Sequence, residues 1–288
     1  MGHSRKTPIE RELEQIAKEE AKFLHRAEKY VPVKWKDALE SKIPEKVYDN
    51  LQKAFCKAFE LVFEKGVSLI EKTYQKEELE KEFQVRDFAV DLKQNRKELR
   101  KMKSQIGQNN LANLAFSTVE GVGLGALGIG LPDIVLFVSM ILRGTYETAL
   151  QCGFAYDTPG EKLWILKLLE GSMQNGERWI ACNEEIDRML QQVTESDKEI
   201  DGTVEPQTAE PDPDELKEQI GVAADAFAVD MLLVKFIQGL PLIGIAGGFM
   251  NPVYYSRILK FVQMKYRKRY LLMKYKGKFA EKYSQNRH

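Results

Sequence analysis

Charged side chains inside apolar stretches are where this sequence could do chemistry. Asp133, Arg143 and Glu147 stand in one strongly apolar segment, and Asp225, Asp230, Lys235, Asn251 and Arg257 stand in or beside a second. Burial strongly disfavours an isolated charge, so such groups are either paired or held at a polar site. Two readings follow. In one, these residues form structural ion pairs between the segments, and Asp133 is a helix-start residue that the helix dipole favours. In the other, Asp133, Glu147 and Asp230 converge at the base of an apolar cleft as the carboxylates of a hydrolase or transferase. The first is preferred, because pairing perturbs charged groups without implying catalysis.

Little else in the chain points to a reaction. It has no His-Glu-x-x-His, Walker A, nucleophile-elbow or Cys-x-x-Cys pattern. Gly123-Leu124-Gly125-Ala126-Leu127-Gly128 matches the dinucleotide fingerprint in letters. The strand and βαβ unit that give that fingerprint its phosphate cradle are missing around it, so no nucleotide is expected. His3 and His288 sit at the ends, and His25 is alone on a charged helix. Cys56, Cys152 and Cys182 are too scattered for a zinc site or a disulfide framework and read as core thiols in a reducing compartment. No cofactor and no metal are expected.

Positioning these residues falls to helices. Residues 8–30 carry Ile9, Leu13, Ile16, Ala17, Leu24 and Ala27 three or four apart behind a Pro start, which predicts an amphipathic helix. Val47, Leu51, Ala54, Phe55, Ala58 and Val62 form a broader stripe after Pro44 and predict a buried one. The stretch 76–106 is highly polar, with a thin stripe of Phe83, Phe88, Val90, Leu92, Leu99 and Met102, and predicts one solvated helix. The first apolar segment follows, crowded with glycine between 121 and 130, and a new helix is predicted from Pro132. Further helices are predicted at 161–174 and 177–192.

Residues 195–215 hold nine acids, one lysine and three prolines. Such a stretch buries too little apolar surface to offset its ordering cost, so an exposed linker is expected. The second apolar segment begins near Ile220 and breaks at Gly239-Leu240-Pro241, as the first breaks at Gly130-Leu131-Pro132. The two are expected to pack on each other, since glycine allows close helix approach. Each is interrupted midway, so buried core helices are expected ahead of membrane spans. This divides the chain into an N-terminal amphipathic helix (1–43), a first helical half (44–194), the acidic linker (195–215) and a second half with a basic last helix (216–288). The fold class is all-α, a multi-helix bundle with two Gly/Pro-broken apolar segments packed together.

The last helix carries the clearest partner signal. From Arg257 onward there are eleven Lys/Arg against one acid, although the whole chain has a formal net charge of zero. Leu259, Val262, Tyr266 and Tyr270 fall at helical spacing, with the cations largely elsewhere. Basic, aromatic, amphipathic helices favour anionic interfaces, so Lys265, Arg267, Lys268 and Arg269 are expected to face an anionic membrane surface or a membrane protein. Nucleic acid is not expected, because no recognised module accompanies the charge. The N-terminus has no apolar run, so a signal peptide is not expected.

Several stretches together resemble the EcsC family. They are Gly130-Leu131-Pro132-Asp133 with its apolar helix, Gly153-Phe154-Ala155-Tyr156-Asp157 with Pro159, and Leu163 through Gly171-Ser172. Gly239-Leu240-Pro241-Leu242-Ile243-Gly244, Asn251 and the stretch from Arg267 to Leu271 follow. The likeness spans roughly Phe55 to Leu272, and the acidic insert departs from the compact pattern. The resemblance implies an α-helical bacterial protein without an established enzymatic activity, from a family named for a gene beside those of an ABC transporter. It carries no catalytic residues. The expected function is a non-enzymatic, membrane-associated adaptor or a binder of an apolar ligand or lipid. Its expected place is the cytoplasm, peripheral at the inner face of the membrane, in an oligomeric state the sequence leaves open.

Overall fold

Capping residues fix where the helices begin. In the computed structural model, which describes residues 6–29, 45–93, 95–113, 132–196, 212–237 and 252–285, Thr7 caps helix α1 (Pro8–Glu28). Its hydroxyl accepts from the Glu10 amide, and Glu10 accepts from the Thr7 amide, so two otherwise unpaired donors are satisfied together. Thr158 caps α7 (Pro159–Met173) with the same Thr-Pro start. Asp212 does so for α9 (Pro213–Ile237) through the Asp214 amide. Helix α9 therefore begins inside the stretch expected to be linker, because Asp212-Pro213 is a helix start.

Between these lie α2 (Glu45–Leu61), α3 (Val67–Glu71), α4 (Lys76–Lys93), α5 (Arg96–Asn113), α6 (Pro132–Gln151) and α8 (Gly176–Ser196), and α10 (Pro252–Gln285) follows. All regular structure among the described residues is helical. A π-helical turn, Val62–Gly66, joins α2 to α3. The polar stretch expected as one helix is two, α4 and α5, and the Asn95 side chain accepts from the Glu98 amide at the start of α5.

One core runs through the bundle, and residues from before and after the acidic stretch share it. Helix α10 is the central strut, packed on α1, α6 and α7 and touching α5 and α8. Helix α9 lies on α2 and α7. Rings knit these contacts: Phe227 of α9 meets Phe55, Phe59 and Phe137, and Phe137 of α6 meets Tyr254 of α10. Helix α6 approaches α10 so closely at Gly144 that an added Cβ would stand 2.6 Å from the Tyr255 hydroxyl. The helices flanking the two apolar breaks therefore meet. Both Gly-Leu-Pro turns, the fingerprint-like Gly123–Gly128 and residues 197–211 of the expected linker lie outside the described residues.

Candidate functional site

Among the described residues, the sequence-predicted polar side chains fall into separate pairings. Arg143 Nε donates to Glu147 Oε1 at 3.1 Å, one turn apart on α6, with both side chains buried. Asp230 on α9, 4% exposed, accepts from the Tyr254 hydroxyl at 2.7 Å and from Asn175 at 3.3 Å. Arg257 completes that shell, with Nη2 3.3 Å from Asp230. Asp225 accepts from the Tyr48 hydroxyl of α2. Among these described residues the carboxylates are held by separate donors: Arg143–Glu147 lies within the first apolar segment, Asp230–Arg257 within the second, and Asp225 takes a tyrosine hydroxyl. Asp133 lies in the first turn of α6 and Lys235 in the last turn of α9, and nothing is described of their side chains; Asn251 also lies outside the described residues.

Nucleophiles are quenched in the same way. Burial pushes the Cys152 thiol up to about 12, against the opposing pull of Arg267, Arg86 and Arg269. Cys182 is likewise raised by burial. Both thiols stay protonated at neutral pH and are poor nucleophiles. Among the described residues no grouping of His, Cys, Asp and Glu could hold a metal ion.

The basic face expected on α10 is turned inward. Lys265 is wholly buried, Arg267 and Arg269 are buried, and Lys268 is half-buried. Lys265 donates to Glu20 of α1 and, at 2.9 Å, to Asp187 of α8. Lys268 donates to the same two carboxylates, at 2.8 Å to Glu20 and 2.9 Å to Asp187. Arg267 pairs with Glu19 at 3.3 Å, and Arg269 with Glu161 at 2.7 Å. In this arrangement the four cations do not present an exposed membrane-binding face. The physical reason is that α10 is enclosed by helices whose carboxylates match its cations. Those partners lie 78 to 248 residues away in the chain and leave no periodic trace in the sequence.

This cluster sets a pH dependence. Burial acts to raise the Glu19 and Asp187 carboxyls, but the facing Lys103, Arg267, Lys265 and Lys268 outweigh it and hold both below their ordinary values. A carboxyl lowered in the folded state contributes stability above its unfolded pKa and loses it as pH falls through the folded value. Thermal melts should therefore show stability falling below about pH 4. Glu19→Gln with Asp187→Asn should flatten that acid limb. An acid limb unchanged by the pair of substitutions would assign it to other carboxylates.

Other polar features gave no sequence signal. Arg86 of α4 is 8% exposed, hydrogen-bonds only Gln105 at 3.0 Å, and leaves Nε and Nη2 without an acceptor. Its burial lowers the guanidinium pKa. Tyr156 stacks on Tyr146 with centroids 4.3 Å apart, donates to Glu71 and accepts from Tyr74 at 2.7 Å. A shallow dent, with room for little more than one water molecule, lies between α1, α5 and α10, bordered by Glu12, Lys103, Arg267 and Tyr270. No helix among the described residues is long and apolar enough to cross a membrane.

The model of the EcsC protein family matches residues 8–271. The chain belongs to the EcsC family. The match begins at the first residue of α1, well before the stretch in which the sequence resemblance was visible, and ends near Leu271 of α10. In this EcsC protein α1 and α10 are the two helices that the Glu19 and Glu20 pairings tie together, so the match embraces the whole ion-paired seam. No curated protein and no solved structure matches the chain.

Proposed function

We propose that this EcsC-family chain is a non-enzymatic adaptor at an anionic membrane surface, with α10 as the contact and α1 as its cover. The observation that supports this reading is the pairing of Arg267, Lys265 and Lys268 with Glu19 and Glu20 of one amphipathic helix. Lipid headgroups offer the same acceptor chemistry as those carboxylates. On this reading the protein is cytoplasmic and peripheral at the inner face of the membrane.

Magnitudes make this a gated rather than a constitutive contact. Helix α1 buries Ile9 and Ile16, each contributing about 1.5–3 kcal/mol. A cation near an anionic bilayer contributes about 1 kcal/mol, so the cations of α10 offset the loss of α1 only as a group. The closed form therefore dominates, and weakening α1 should release the basic face.

Co-sedimentation of the full chain with phosphatidylserine-containing and neutral vesicles tests this. Glu19→Gln/Glu20→Gln/Asp187→Asn should bind the anionic vesicles about tenfold more tightly than the parent: Asp187 would otherwise keep Lys265 and Lys268 paired, and three released cations supply more than about 1.4 kcal/mol. The gain should vanish at 1 M salt, where the Debye length is about 3 Å. Equal binding of both proteins, or equal binding to neutral vesicles, would overturn the proposal.

A further inference from the structure

Helix α4 has two apolar faces, and the bundle uses one. Inward, Leu79 and Val90 are buried and Phe83 packs edge-on against Tyr270 of α10. Outward, Val85, Phe88 and Leu92 are 72%, 68% and 69% exposed. Spaced three and four apart, they lie on one side of the helix as a ridge about 10 Å long. The other large exposed apolar residues among those described, Leu24 and Val222, are isolated and only 39% and 38% exposed. The ridge is therefore contiguous apolar surface, not the scatter that any protein surface carries.

Charge beside the ridge indicates its occupant. At 100° per residue, Glu78 and Glu82 flank it on one side and Glu77 and Asp91 on the other. Lys81 sits within the ridge and approaches Glu77 at 3.8 Å, with both side chains in solvent. Lys274 of α10 pairs with Asp91 and Asp87 from the inner side. Carboxylates thus border the apolar surface on both sides. An anionic bilayer would meet like charge there, and so would a second copy of α4. The complement is a helix whose apolar seam is bordered by Lys and Arg, packed along the ridge as helices pack on helices.

We propose that the outer face of α4 is a docking surface for a basic amphipathic helix of a partner protein. Covering Val85, Phe88 and Leu92 supplies the affinity, and Glu77, Glu78, Glu82 and Asp91 set the choice of partner. The surface is separate from the α1–α10 seam, so it stands or falls independently of membrane binding.

A labelled synthetic helix of about 18 residues, with a leucine seam bordered by lysines, is the first probe, its binding to the full chain read by fluorescence anisotropy. Val85→Ser/Phe88→Ser/Leu92→Ser removes only exposed side chains, so circular dichroism should be unchanged while affinity falls about tenfold or more. Glu78→Gln/Glu82→Gln should weaken binding severalfold and reduce its salt dependence. A peptide with glutamate in place of lysine should not bind. Equal affinity for the serine variant, or for the glutamate peptide, would overturn the proposal. In cells, a photo-cross-linking residue at position 88 supports it if the adduct maps to a basic amphipathic helix of another protein. Adducts to lipid, to a second copy or to nothing above background count against it.

Discussion

Gly153→Ala is expected to lower the unfolding free energy by about 2–4 kcal/mol, from two causes that can be separated. The first is backbone. Gly153 has φ +82°, a conformation in which an L-residue's Cβ crowds its own chain. The α6 terminus requires it: the Gly153 amide donates to Leu150 O and the Phe154 amide to Ala149 O, each at 2.9 Å, a Schellman motif closing the helix. The second is packing. An alanine Cβ would stand 2.2 Å from Phe83 Cζ, so the ring must move, and Phe83 is wedged against Tyr270. Urea unfolding of Gly153→Ala, Phe83→Ala and the double variant separates the two. The double variant should be more stable than the sum of the single losses predicts, by about 1 kcal/mol or more, because the clash disappears with the ring. The strained φ should leave a residual loss. Strict additivity would mean that the ring is not what meets the new Cβ.

That result bears on what the resemblance in sequence was made of. Gly153-Phe154-Ala155-Tyr156 reads as a family signature and invites a functional assignment. In the structure it is a junction. Gly153 turns the chain off α6, Phe154 lies under the Arg269 guanidinium at 4.1 Å, and Tyr156 stacks on Tyr146 while holding Glu71 at the end of α3. The stretch joins α3, α6 and α10, and its one carboxylate, Asp157, is exposed at the turn into α7 and not gathered with other reactive groups among the described residues.

Legibility in the sequence followed the range of the interaction. Helix starts at Pro8 and Pro132 are legible because a proline acts within the first turn. The buried stripe of α2 was visible for the same local reason. The break between α4 and α5 was not, since neither proline nor glycine marks it and Asn95 supplies the stop. The polar stretch hides two stripes in one: Phe88 and Leu92 stand near Val90 in sequence, but 100° per residue puts them on opposite sides of α4. Arg143 with Glu147 could be anticipated one turn apart, whereas Lys265 with Glu20 could not, because 245 residues separate them. Counting eleven cations near the C-terminus identified a real charge excess. Only the packing of α10 among α1, α7 and α8 shows that four of those cations are matched inside the fold.

Removal of Glu161 should be the most damaging single change to that matching. Glu161, in the first turn of α7 and 6% exposed, accepts from Arg269 at 2.7 Å and from the Tyr266 hydroxyl at 2.6 Å. Without it the Arg269 charge stays buried over Phe154 and Trp164 with its Glu161 carboxylate partner gone, and the Tyr266 hydroxyl stays buried without its acceptor. Breaking such a pair from one side costs about 3–5 kcal/mol, more than an exposed ion pair contributes. Glu161→Ala should lose that much in denaturant unfolding, and Glu161→Gln less, since an amide oxygen can still accept one bond. Glu161→Ala/Arg269→Leu should be more stable than Glu161→Ala alone, because the uncompensated charge is gone. An alkaline limb provides a second readout. Burial first, and then Glu161, raise the Tyr266 pKa well above its ordinary 10. A group raised in the folded state contributes stability below its unfolded pKa and loses it as pH climbs above that value. Stability should therefore decline above about pH 10, and less steeply in Glu161→Ala, where only burial still opposes the phenolate. A double variant no more stable than Glu161→Ala would show that Arg269 is held by its aromatic neighbours and not by the carboxylate.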